Sequence, residues 1–150
     1  RPTSEKRNFV RICCTQPRRL AAQRVGKRVA EEYLTDLGNL VGYRVGMRGS
    51  NAADSIKVSS NTQIEFVTEG WLLHSLTKSP DKLSNYDCII LDEAHERNLE
   101  TDLLLALLRE HVIENDTSAM KVVVMSATID PKRFCQYFNN CPAVDCPGKL

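Results

Sequence analysis

Apolar residues gather in five short runs, at residues 9–15, 40–45, 64–68, 88–91 and 122–125. Between them lie longer stretches in which apolar positions recur every three or four residues. The short runs predict strands. Cys88-Ile89-Ile90-Leu91 and Val122-Val123-Val124-Met125 are apolar without alternation, the pattern of parallel strands covered on both faces, and this places both in the middle of a sheet. Residues 18–36 carry Leu20, Ala21, Val25, Val29, Ala30 and Tyr33 at helical spacing, closed by Leu37-Gly38-Asn39, which predicts a surface helix with one buried stripe. Residues 99–112 predict a second helix, with Leu103, Leu104, Leu107 and Leu108 toward the sheet. Residues 47–60 and 77–85 are small, polar and aperiodic, and predict loops. Strands alternating with helices predict an α/β fold: an open, mostly parallel sheet with flanking helices and right-handed crossovers, its ligands gathered at the C-terminal strand ends.

Composition narrows the class. A chain of 150 residues, 42% of them hydrophobic, suits one domain with one core. No run approaches the roughly 18 apolar residues of a membrane span, and no apolar segment follows the Arg-rich start, so neither anchoring nor secretion is expected. An intracellular protein is the expectation, with nucleus and cytoplasm both open. Of six cysteines, Cys13, Cys14 and Cys88 lie in apolar runs that suit buried thiols. Cys135, Cys141 and Cys146 form no CxxC pair and have no nearby His, so packing is expected of them in place of zinc or disulfides. The net charge is +1, yet residues 1–28 hold nine Lys or Arg against Glu5 alone, leaving −7 on the rest. That segment either draws a polyanion or is a solvated helix face.

The chemistry concentrates at Asp92-Glu93-Ala94-His95, directly after an apolar run. Two adjacent carboxylates at the end of a buried strand point in alternate directions, so one can face a metal and the other an attacking water. Ser126 and Thr128 follow a second such run, where hydroxyls could reach those carboxylates or simply cap a helix. Pro17, Arg18 and Arg19 open a helix, where exposed amides and guanidinium groups bind phosphate. Thr68, Glu69 and Gly70 repeat that arrangement after the 64–68 run, although Gly70 could equally be a helix cap. Contacts of this kind hold a sugar-phosphate backbone without reading sequence.

Asp92-Glu93-Ala94-His95-Glu96-Arg97 resembles motif II of the DEAH-box ATP-dependent RNA helicases, superfamily 2 motors built on two RecA-like domains of the P-loop NTPase fold. Thr15-Gln16-Pro17-Arg18-Arg19-Leu20-Ala21-Ala22 resembles their motif Ia, Thr68-Glu69-Gly70 their motif Ib and Ser126-Ala127-Thr128 their motif III. Val41-Gly42-Tyr43 and Pro147-Gly148 also fit. The resemblance implies ATP or another NTP with Mg²⁺ as cofactor and single-stranded RNA as partner. It implies that Asp92 holds Mg²⁺ through water, Glu93 orients or deprotonates the attacking water, and His95 couples nucleotide state to the partner domain. By the same resemblance Ser126 and Thr128 transmit the position of motif II, Arg18, Arg19, Thr68, Glu69 and Gly70 grip RNA, and an activator protein is a further possible partner.

One departure is large. A nucleotide motor cradles phosphates with GxxxxGK[ST], and neither Gly26-Lys27 nor Gly148-Lys149 completes that segment. Residues 1–150 are therefore expected to be a partial first RecA-like domain, truncated at its N-terminus, with motifs Ia, Ib, II and III but without motif I or the second RecA-like domain. Such a piece should expose apolar surface beside a central strand and turn over negligible ATP alone. The alternative is a non-catalytic RNA- or protein-binding module derived from a helicase. A smaller departure is Gly46, where the family usually has an arginine after Val41-Gly42-Tyr43; Arg48 is the candidate substitute.

Overall fold

The computed structural model describes residues 9–46, 52–114, 120–128 and 130–147. Arg1, Glu5, Lys6 and Arg7 of the basic start, Arg48, Gly148 and Lys149 lie outside the described residues.

In chain order the elements are β1 (Ile12–Gln16), α1 (Arg19–Glu32), β2 (Val41–Arg44), α2 (Ala52–Ser55), β3 (Ile56–Lys57), β4 (Ile64–Thr68), α3 (Glu69–Lys78), β5 (Cys88–Leu91), α4 (Leu99–Glu114), β6 (Lys121–Val124) and α5 (Pro131–Tyr137). Short 3-10 turns at Pro80–Asn85 and Ala94–Glu96 precede and follow β5. The strands form one sheet in the order β3-β2-β4-β1-β5-β6. All neighbours run parallel except β3, which pairs antiparallel with β2. This is the expected RecA-like α/β architecture.

The adjacent cysteines show why the apolar runs lack alternation. Cys13 points into a core with Val67, Leu72, Ile89, Leu91, Leu104 and Leu108, between the sheet and helices α3 and α4. Cys14 points to the opposite face, into a core with Ala22, Ala30, Val41, Tyr43 and Phe66 under α1. Both faces are covered, so every position of the strand can be apolar. Burial raises both thiols, Cys14 to about 11 with a smaller contribution from the Asp92 charge. They stay neutral and act as packing groups.

Five expectations need correction. The buried stripe of α1 is Ala22, Gly26 and Ala30, whereas Leu20 and Tyr33 are exposed. Small side chains let the helix lie close to the sheet, with a Cβ at Gly26 only 3.4 Å from Phe66, and residue size misplaced the stripe. The helix also ends at Glu32, before Leu34 turns left-handed at φ 52°. In α4 the inward face is Thr101, Leu104, Leu105 and Leu108, and Leu103 turns outward. Residues expected as loops form α2, β3 and the Pro80–Asn85 turn, elements too short to show a period. Finally, β5 is central, but among the described residues β6 is an edge strand, with Val123 and Met125 about two-fifths exposed. No helix among the described residues is long and apolar enough to cross a membrane.

Candidate functional site

Four neighbouring strands, β4-β1-β5-β6, end side by side, and each ends in one of the singled-out segments. The register aligns them: Gln16 pairs with Thr68, Thr15 with Leu91, and Leu91 with Val124. With strands about 5 Å apart, Thr68-Glu69-Gly70, Gln16 to Arg19, Asp92 to His95 and Ser126 to Thr128 make one row. The chain runs from β1 toward β2, β3 and β4, and later from β5 toward β6. The seam between β1 and β5 is thus a topological switch point, where open α/β sheets form their ligand crevice.

Asp92 stands at that seam, half-buried. Its Oδ2 accepts a 2.6 Å hydrogen bond from Gln16 Nε2, and its Oδ1 accepts one of 2.8 Å from the Glu93 backbone N–H. Glu93 is left-handed at φ 53°, as is Arg97 at φ 51°, so two strained residues bracket the Ala94–Glu96 turn. Such backbone costs on the order of 1 kcal/mol or more and persists where its surroundings hold it. Here Ala94 N–H donates to Met125 O at 3.0 Å, and Met125 N–H to Leu91 O at 2.8 Å. These backbone hydrogen bonds tie the Asp92 segment to the Ser126 segment. The Ser126 hydroxyl accepts from the Thr128 N–H at 3.3 Å, and both residues are exposed. His95 Nδ1 lies 3.4 Å from Glu93 Oε2, near but out of hydrogen-bond alignment, which leaves a buried nitrogen unpartnered among the described residues.

Arg18 is the extended residue before α1, its side chain 80% exposed and 4.0 Å from Glu96. Arg19 begins the helix and is half-buried. Thr68 and Gly70 flank Glu69 at the start of α3, and Gly70 is exposed with open space where a Cβ would be. Glu69 departs from expectation. It is only 4% exposed, and its Oε1 accepts a 2.7 Å hydrogen bond from Thr101 of α4. Burial raises its carboxyl, while the Thr101 and Asn98 hydrogen bonds pull it back. Its side chain ties α3 to α4 and is not presented to a ligand.

A cleft of about 250 Å³ opens beside the row, lined by His95, Arg97, Thr128, Asp130, Arg133 and Phe134. A cleft of about 140 Å³ at the opposite strand ends is lined mainly by Val10, Ile12, Leu40, Val41 and Ile64 and carries none of this chemistry.

Residues 4–135 match the family described as DEAD/DEAH box helicase. The chain belongs to this family. Its DEAH-box character is supported by relatives that share 42% identity over 142 residues, an ATP-dependent RNA helicase HrpA homolog of Haemophilus influenzae, and 43% over 135 residues, the ATP-dependent RNA helicase HrpA of Escherichia coli K12. The alignments cover 95% and 90% of this chain but 10% of each relative. The chain thus spans about a tenth of the length of these helicases. Gln16 gives no chemical signal in the sequence; an amide beside Pro-Arg-Arg carries no signature, and only strand register brings it to Asp92.

Proposed function

We propose that this chain is the RNA-gripping and water-activating part of the first RecA-like domain of an ATP-dependent RNA helicase. The observation that carries this reading is the row of four segments on adjacent C-terminal strand ends, with the paired carboxylates at the switch point. Asp92 suits a hydrated divalent cation, because it is half-buried, each oxygen already accepts one hydrogen bond, and it has no ion pair among the described residues. No cluster of three or more potential ligands occurs among the described residues, and Mg²⁺ is commonly held by one or two carboxylates together with water and substrate phosphates. Mg²⁺ held there by Asp92 would supply positive charge to offset the charge that develops on the transferred phosphoryl group.

The chain's own residues then divide the work. Asp92 holds the hydrated ion. Glu93, set apart from Asp92 by its left-handed backbone, orients or deprotonates the attacking water. His95, with its unpartnered nitrogen, couples this turn to a partner domain, and Ser126 and Thr128 report its position along the β6 end. Arg18, Arg19, Thr68 and Gly70 hold the backbone of single-stranded RNA. A phosphate loop and a second RecA-like domain complete the ATP cleft, and an activator protein is a further partner. Residues 1–150 alone, without a GxxxxGK[ST] segment, have negligible turnover.

The test is Glu93→Gln in the full-length protein. RNA-stimulated ATP hydrolysis falls by about 10²- to 10⁴-fold, the range of a lost general base, while RNA affinity stays within twofold. Unchanged turnover overturns the role given to Glu93.

A further inference from the structure

We propose that Gln16 is a positioning residue for Asp92, and that their hydrogen bond carries the effect of RNA at the β1–α1 turn to the grip on nucleotide. This rests on the function proposed above. The last β1–β5 pair is Thr15 with Leu91, so Gln16 and Asp92 are the next residues beyond the ladder. They share the sheet face of Cys14 and Ile90, and the side-chain bond extends the seam by one step where backbone pairing stops.

The bond is built for constraint. Gln16 is 6% exposed, and its Nε2 lies 2.6 Å from Asp92 Oδ2. The Glu93 N–H holds the other oxygen at 2.8 Å. With one donor on each oxygen, the carboxylate cannot rotate without breaking a charge-assisted hydrogen bond in a partly buried site. Gln is also chemically apt. A Lys or Arg here would neutralise Asp92 and compete with a cation, and a Glu would repel it, whereas an amide fixes the group and leaves its charge available.

The connection to the RNA side is short and stiff. Gln16 is followed by Pro17, whose ring fixes its backbone, and then by Arg18, extended at φ −121° and ψ 140° ahead of α1. A shift of the turn that takes a phosphate on Arg18 is therefore delivered two residues away, at the amide holding Asp92. The exposed 4.0 Å approach of Arg18 to Glu96 runs beside it but is too long and solvated to carry much.

The experiment uses the full-length protein with three variants, Gln16→Leu, Gln16→Asn and Asp92→Asn. The probes are a fluorescent non-hydrolysable ATP analogue titrated with Mg²⁺, and a single-stranded RNA oligonucleotide. Gln16→Leu removes the donor, and Gln16→Asn keeps an amide too short to reach, so the second serves if the first does not fold. The folded variant raises the Mg²⁺ concentration for half-maximal analogue binding by about tenfold, in line with loss of a hydrogen bond to a charged group. RNA no longer alters analogue affinity, while RNA affinity without nucleotide stays within twofold. If Mg²⁺ dependence and RNA coupling stay at wild-type values while Asp92→Asn loses the Mg²⁺ dependence, Gln16 is only a strand clamp and the proposal is overturned. If Asp92→Asn itself keeps the Mg²⁺ dependence, the reading of Asp92 fails first and the proposal falls with it.

Discussion

The β2–β3 flank and the start of α3 each contain a glycine that sequence motifs mark, and the two answer to different demands. Gly42 is required by the chain itself: a Cβ there would run into the Lys57 carbonyl oxygen and stand 2.9 Å from Val58 Cγ1. Gly70 has nothing within 4 Å of that position, and it occupies a helix, where glycine costs roughly 0.5–1 kcal/mol relative to alanine. The fold gains nothing from it. In the function proposed above, the open space at Gly70, beside Thr68 and in line with Arg18, leaves room for an RNA backbone to come close. Motif membership alone does not separate a glycine that serves packing from one that serves contact; the space around each does.

The contrast can be broken in several ways. Gly42→Ala forces β3 away from β2 and lowers the unfolding free energy by about 3 kcal/mol, the upper range for overpacking, as urea denaturation of the full-length protein will read. Loss of RNA affinity without loss of stability would reverse the assignment. Glu69→Ala, at the same helix start as Gly70, leaves the Thr101 hydroxyl without its buried partner and costs about 2 kcal/mol, again with RNA affinity spared. Glu69→Gln sharpens this through pH. Burial raises the Glu69 carboxyl above its ordinary value, so the folded chain holds that proton more tightly than the unfolded chain. The Glu69 contribution is most favourable below the ordinary carboxylate range and is lost as pH rises through it to the raised value. Comparing unfolding of wild type and Gln variant across that interval should show this slope only in wild type.

Smaller effects lie at the surface. Gly70→Ala should stabilise the protein by about 0.5 kcal/mol while weakening single-stranded RNA binding; stabilisation with full RNA affinity would make Gly70 an ordinary helix residue. Arg18→Ala should reduce the slope of log affinity against log salt by about 0.7, the share of one phosphate, from a value near −3 if about four are engaged. Fluorescence anisotropy at several salt concentrations reads both.

The sequence made the central strands legible because both of their faces are covered: Ile64–Thr68 and Cys88–Leu91 stand at the expected bounds. It misled wherever geometry outweighed hydrophobicity. Ala22, Gly26 and Ala30 bury the face of α1 because they are small, and β3, two residues long, has no period to detect. The site divides in the same way. Asp92, Glu93 and Arg18 stand out in the sequence through their charges, and the structure sets them on neighbouring strand ends. Glu69 reads in the sequence as an exposed carboxylate, whereas the structure buries its side chain against Thr101. Gln16 carries no such signal, because its partner is 76 residues away.

That separation also governs how the site comes into being. On a ribosome the Asp92 that β1 receives at Gln16 emerges only 76 residues later, a wait on the order of 4–15 s at ordinary rates of synthesis. Throughout it, Ile12, Cys13 and Cys14 have one flank unpaired, and no partial form of the chain holds even a weak version of the carboxylate seam. The carboxylate seam therefore forms late relative to β1, and until β5 docks that apolar strand presents an open edge, the feature that invites wrong pairing.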